Sequence, residues 1–257
     1  MSIEQIASSS QKNSADFNQP LPLHIANLVC VRAGKAMPFA REQMSAIDKA
    51  PINAPVAVNF MGLSTDEQAD RRHHGGPLKA VHQLPVATYE KINTEFGLKV
   101  RVGTLGENLT TDAVNGLPAM DESTVCIGDV FQYGGQYGNT DNNDSVQLRI
   151  VQPRRPCYKI NDQIGQFKLN KVPNIASWVT KQGIAGWYFQ LVRDGMIHTD
   201  LPVYLIERPY PFATLEKLWQ LANSKEKFGA EIIEPWLAIE CLEDSWKTVL
   251  TKKIRQG

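Results

Sequence analysis

Short apolar runs through the middle of the chain are separated by turn residues. His24 to Val31, Val56 to Phe60, Asn108 to Asp112, Asp129 to Tyr133, Val146 to Val151 and Val203 to Glu207 are apolar or alternating and carry many β-branched residues. Clusters of Gly, Pro, Asn and Asp punctuate them, which predicts a mostly antiparallel sheet or barrel. One helix interrupts the pattern. With Pro85 in its first turn, Val86, Tyr89, Ile92 and Phe96 form an apolar face and Gly97 can end it. Tyr133 to Ser145 is almost pure turn chemistry and predicts an exposed hairpin tip.

After Pro209 and Pro211 the period becomes helical. Leu215, Leu218, Trp219 and Ala222 make one stripe, and Trp236, Ile239 and Leu242 a second. A third helix can begin at Ser245, with Trp246, Val249 and Leu250 on one face and Lys252, Lys253 and Arg255 at its C-terminal end. The expected class is mainly β with appended α. Residues 1–22 are expected to be a flexible tail, 23–208 a β-barrel domain and 209–257 a small three-helix domain. The C-terminal helices have three candidate uses: docking on their own chain, pairing two copies into a homodimer, or receiving a redox partner.

Composition narrows the function. The 257 residues are 42% hydrophobic, enough for a sizeable core, and 27 Lys and Arg balance 27 Asp and Glu. A neutral chain has no global pull toward nucleic acid or anionic membrane, so neither is an expected partner. The apolar runs are too short to span a bilayer. The Ser-, Gln- and Asn-rich start lacks a basic region followed by an apolar core, so it does not read as a secretory signal. Cys30, Cys126, Cys157 and Cys241 are scattered with no Cys-x-x-Cys pair, which argues against a disulfide framework or structural zinc. Reduced thiols in the cytoplasm are expected.

Three segments carry candidate chemistry. In Gln152-Pro153-Arg154-Arg155-Pro156-Cys157-Tyr158-Lys159, three cations lie within three residues of Cys157, and the prolines stiffen the loop. Nearby cations favour a thiolate, the form that acts as nucleophile or metal ligand. The residues alone leave two readings open, a reactive thiol or an inert cysteine whose arginines face solvent. In Arg71-Arg72-His73-His74-Gly75-Gly76-Pro77, basic side chains beside a glycine turn suit an anion, or simply form a solvated turn. In Gly103-Thr104-Leu105-Gly106-Glu107-Asn108, the acid–amide pair could orient a ligand or stabilise its own turn. No dinucleotide fingerprint, P-loop or Gly-x-Ser-x-Gly elbow is present.

Taken in order, His74-Gly75-Gly76, Gly106-Glu107-Asn108-Leu109, Gly128-Asp129, Arg154 and Pro156-Cys157 resemble the MOSC domain, named for the C-terminal part of molybdenum cofactor sulfurases. The longer strings Asp66-Glu67-Gln68, Gln152-Pro153-Arg154, Cys157-Tyr158-Lys159 and Gly186-Trp187-Tyr188 are similar to the YiiM-type branch, in which a three-helix domain follows the MOSC barrel. The hairpin at 133–145 is longer than usual there, and Arg155 stands where a small residue is common. The resemblance implies a MOSC-type β-barrel and a site dependent on the molybdenum cofactor (molybdopterin). It implies reductive detoxification of small N-hydroxylated compounds such as 6-N-hydroxylaminopurine. Cys157 would ligate the metal or act as nucleophile. His74 and Lys159 would join it in catalysis. Arg154, Arg72, Gly75, Gly76, Glu107 and Asn108 would hold cofactor or substrate. His82 is a second candidate proton donor, though a structural role suits it better. With no flavin or nicotinamide signature, electrons are expected from a separate donor protein. Two alternatives stand beside this one: a sulfur carrier bearing a Cys157 persulfide, and an anion-binding module without chemistry.

Overall fold

A computed structural model describes residues 20–69, 75–114, 116–135, 145–165 and 173–255. The expected tail before residue 20 and the tip of the expected hairpin, 136–144, lie outside the described residues.

The N-terminal half opens with a long strand, β1 (Leu23–Ala33), followed by a small hairpin of β2 (Met37–Phe39) and β3 (Gln43–Ser45). Then come β4 (Ala50–Pro51), β5 (Val56–Asn59), β6 (Gly62–Leu63) and β7 (Val81–Pro85). Helix α1 (Val86–Phe96) ends at Gly97 in the left-handed conformation, as its sequence predicts. Strands β8 (Leu109–Ala113), β9 (Val130–Tyr133) and β10 (Val146–Pro153) lead into α2 (Lys159–Gly165) and α3 (Ile175–Gln182). Strands β11 (Trp187–Arg193), β12 (Gly195–Ile197) and β13 (Pro202–Glu207) complete the β part. Helices α4 (Leu215–Asn223), α5 (Ala230–Leu237) and α6 (Asp244–Thr251) follow.

Seven strands run in the order β13-β9-β10-β11-β7-β8-β1, and pairing of β1 with β13 closes the sheet into a barrel. Closure leaves no open edge for other chains to pair with. The pairing is antiparallel as expected, except that β7 and β8 are parallel. Helix α1 connects those two strands, the kind of crossover that parallel pairing needs.

Two apolar clusters organise the molecule. The larger fills the barrel with Leu28, Phe131, Leu148 and Phe189 and runs on without a break into Leu218, Trp219, Trp236 and Trp246 of the C-terminal helices. Backbone bonds reinforce that junction, from Leu215 N–H to the Val125 carbonyl and from Glu243 N–H to the Val151 carbonyl. The C-terminal helices therefore dock on their own chain's barrel. The expected second helix is shorter than its stripe. Ile239 and Leu242 are buried beyond the end of α5 in successive turns, which share the three-residue spacing of a helix. The smaller cluster gathers Tyr89, Ile92, Leu105, Ile160, Ile164 and Val179, and so packs α1, α2 and α3 together beside the barrel.

Candidate functional site

The thiol is placed by the exit from β10. Arg154 N–H donates to the Gly186 carbonyl at 2.9 Å, which continues the sheet contact one residue past the strand. Pro156 follows, and Ile160 N–H then donates to the Cys157 carbonyl at 3.2 Å as α2 begins. Ile160 and Ile164 anchor α2 in the smaller cluster, so Cys157 sits half-buried on a segment fixed at both ends. Gly186 makes this approach feasible. Its φ is 77°, and a Cβ there would lie 2.0 Å from the Gln83 carbonyl oxygen.

Cys157 opens onto a cleft of about 90 Å³ whose lining includes Lys49, Asp66, His82, Arg154, Lys159 and Tyr188. Arg154 is only 5% exposed, yet its Nε and Nη1 have no hydrogen-bond partner among the described residues. A buried guanidinium left this way is costly, and an anion in the cleft would supply the missing acceptors. Its charge also acts on its neighbours. Burial pushes the Lys49 ammonium down from its usual range, with Arg154 adding to the fall and Asp66 opposing it. Lys49 Nζ sits 2.5 and 2.6 Å from the two Asp66 oxygens. Asp66 also accepts from Gly34 N–H at 2.7 Å and from Asn108 Nδ2 at 2.9 Å.

Asn108 joins three parts of the site. Its Oδ1 accepts from His82 N–H at 3.1 Å, while its Nδ2 reaches Asp66 and, at 3.2 Å, the Arg32 carbonyl. Asn108 lines the cleft as expected; Glu107 does not. The Glu107 carboxylate is fully buried behind the wall. It accepts from Tyr89 Oη at 2.7 Å, Gly103 N–H at 2.7 Å and Thr110 Oγ1 at 3.1 Å. Asn108 thus faces the cleft, while Glu107 points away from it and stabilises the turn.

His82 is in the cleft wall but is poorly suited to proton delivery. Its Nε2–H donates to the Ala185 carbonyl at 2.9 Å. Burial, and then the Arg154 charge, hold its pKa well below the usual imidazole value, so it is neutral at physiological pH. Lys159 donates to the Met44 carbonyl at 3.0 Å, which fastens α2 to the β2–β3 hairpin. Gly75 lines the cleft, whereas Gly76 is not part of its lining. His74 and Arg72 lie outside the described residues. Asp129 is not at the site. It is buried, accepts from Cys126 N–H, and grips Arg208 at 2.6 and 2.9 Å where β13 ends.

The residues that the sequence reading missed are Lys49, Asp66, Lys79 and Tyr188. Asp66 and Tyr188 sit inside strings noted above without a role; nothing in the sequence around Lys49 or Lys79 singles them out.

Residues 70–204 match the MOSC domain. The protein YiiM of Escherichia coli (strain K12) is 30% identical over 235 residues, spanning 89% of this chain and 93% of its own length. The chain belongs to the MOSC domain family.

Another relative of this MOSC protein, from Gibberella moniliformis and named a reductase, is 31% identical over 221 residues, which make up 84% of this chain and 34% of that protein. Crystal structures of YiiM share the fold. The one from Geobacillus stearothermophilus has a TM-score of 0.66 at 22% identity, covering 90% of this chain and 100% of that one. The one from Escherichia coli has a TM-score of 0.61 at 25% identity, covering 88% and 91%. The MOSC domain is related to molybdenum cofactor sulfurases, which is consistent with an association with molybdopterin.

The donor set fits such a cofactor at its two chemically distinct ends. Among the described residues, no three His, Cys, Asp or Glu side chains converge as a metal site. A metal here would have Cys157 as its protein ligand and would bring its other ligands with it; thiolate sulfur is the soft donor molybdenum favours. The unpaired Nε and Nη1 of Arg154 suit the phosphate that ends the pterin tail. No helix among the described residues is long and apolar enough to cross a membrane.

Proposed function

We propose that this MOSC protein is a molybdenum-cofactor-dependent reductase of N-hydroxylated compounds, with 6-N-hydroxylaminopurine as a representative substrate. The observation that carries this reading is the buried Arg154 guanidinium, with its Nε and Nη1 unpaired, in the same cleft as Cys157. It marks an anion site beside a thiol on a fixed loop. The relative named a reductase supports the reaction class.

The reaction converts an N–OH group to N–H with release of water and consumes two electrons and two protons. The bound cofactor would supply the two-electron chemistry. The electrons come, in this reading, from a separate donor protein. The chain's own residues do the rest. Cys157 provides the sulfur ligand. Arg154, with Arg72 and the Gly75 turn, holds the anionic end of the cofactor. Lys49 is neutralised by Asp66, so the net positive charge near the thiol comes from Arg154, Lys79 and Lys159. Protons are assigned to Lys159, which lines the cleft beside Cys157, and to His74, because His82 is neutral with its N–H committed.

Cells sensitive to 6-N-hydroxylaminopurine test the proposal. Expression of the wild type should protect them and Cys157→Ala should not. Full protection by Cys157→Ala would remove the thiol from the mechanism.

A further inference from the structure

Cys157 opens on a second hollow as well. A groove of about 510 Å³ lies outside the cleft and shares Lys79, Cys157, Lys159 and Tyr188 with it. Its remaining wall comes from Gln43, Gln152, Arg155, Tyr158, Ser245 and Trp246. The last two belong to α6, so the C-terminal helices form one side of a hollow that ends at the thiol.

Three observations describe what this groove would hold. Its lining includes three cations, Lys79, Arg155 and Lys159, and no carboxylate, unlike the cleft with its Asp66 and Glu67. Arg155 is exposed, and its guanidinium carbon stands 4.3 Å from the ring centroid of Trp246, which is 1% exposed and fixed in the core. This cation–π contact holds the guanidinium over the indole, and its N–H donors make no hydrogen bond or ion pair among the described residues. Tyr158, also in the groove lining, is 41% exposed and is held by Arg41 at 4.7 Å from its ring centroid and by the bond of its hydroxyl to Gln43. A positioned cationic plate and an exposed aromatic ring thus flank Cys157, two residues before it and one after.

We infer that this outer groove is the substrate subsite and takes a flat, ring-bearing anion, such as an N-hydroxylated base carried as its nucleotide rather than as the free base, with Arg155 as its specificity-determining residue and α6 as its fixed wall. The inference rests on Cys157 being the reaction centre. A ligand seated here would stack on Tyr158, turn its carboxylate or phosphate to Arg155 and Lys79, and place its ring beside the thiol. Its volume is that of a small-molecule site.

Calorimetric titration of the full-length protein with three probes tests this: adenosine monophosphate, 2-naphthoate and neutral adenine. Both anions should bind the wild type about tenfold or more tightly than adenine. Arg155→Ala should weaken both anions by about tenfold or more and leave adenine unchanged, while Arg155→Lys should retain part of the affinity. Whichever anion binds more tightly assigns the charged group as phosphate or carboxylate. Equal binding of adenine and the anions, or no effect of Arg155→Ala, overturns the inference. So does loss of bound molybdenum or pterin from Arg155→Ala, which would give the groove to the cofactor. Anion binding that depends on Arg155 in a protein that reduces nothing would uphold the groove and reject the reductase. Reduction of an N-hydroxylated anion with KM unchanged in Arg155→Ala would do the reverse.

Discussion

Replacing Arg154 by Met should stabilise the protein in the absence of an anion. Most changes of a buried residue destabilise, so the sign is diagnostic. Arg154 is 5% exposed and leaves Nε and Nη1 unpaired. Each unsatisfied donor costs about 1–3 kcal/mol. Its charge also opposes protonation of Lys49 and His82. Met fills similar space without donors. The change also loses the Arg154 contact with the Tyr188 hydroxyl, worth about 1 kcal/mol. The balance is a gain of about 1–5 kcal/mol, and the melting midpoint should rise by about 2–4 °C for each kcal/mol at this chain length. Urea unfolding in an anion-poor buffer measures it. Adding inorganic phosphate should then stabilise the wild type and leave Arg154→Met unaffected, because only a state that binds the ligand gains from it. Destabilisation of Arg154→Met by more than about 2 kcal/mol with an undiminished phosphate response would refute the reasoning.

Glu122 lies away from the cleft, with its Oε1 accepting from Gly186 N–H at 2.7 Å and its Oε2 unpaired. Burial raises its pKa from 4.5 to about 7, so the folded protein holds this proton across a window where the unfolded chain releases it. Stability should therefore fall as pH rises from 4.5 to 7, by about 3 kcal/mol more in the wild type than in Glu122→Gln; parallel stability–pH curves from urea unfolding would contradict this. Asp129→Ala removes the carboxylate that pairs with Arg208, which is mostly buried, and should cost about 3–5 kcal/mol by the same assay, a loss under about 1 kcal/mol being evidence against the pair. Gly186→Ala places a Cβ against the Gln83 carbonyl and His82, and should lower the melting midpoint and weaken phosphate binding together. Normal phosphate binding in that variant would show that the Gly186 contact does not position Arg154.

Strands β1, β5, β8, β9, β10 and β13 were legible as apolar or alternating runs rich in β-branched residues, and they fall within two residues of their expected limits at each end. Strand β7 was not, because all five residues of Val-His-Gln-Leu-Pro are buried and its polar side chains find internal partners. It therefore shows no alternation. Helices α2 and α3 are short, and their burial depends on α1, which no local window contains. At the site, Arg154 and Cys157 were readable because one continuous loop carries both. Lys49, Asp66 and Lys79 come from separate segments that only the closed barrel brings to the thiol, and Glu107 was misplaced because a two-residue motif does not say which of its members faces inward.

The most direct test of a molybdenum-cofactor site at Cys157 is metal and pterin content in protein purified from a host that makes the cofactor. The wild type should retain both, and Cys157→Ala and Arg154→Met should each lose them while remaining folded. A wild type free of molybdenum and pterin that still protects cells from 6-N-hydroxylaminopurine would contradict the account.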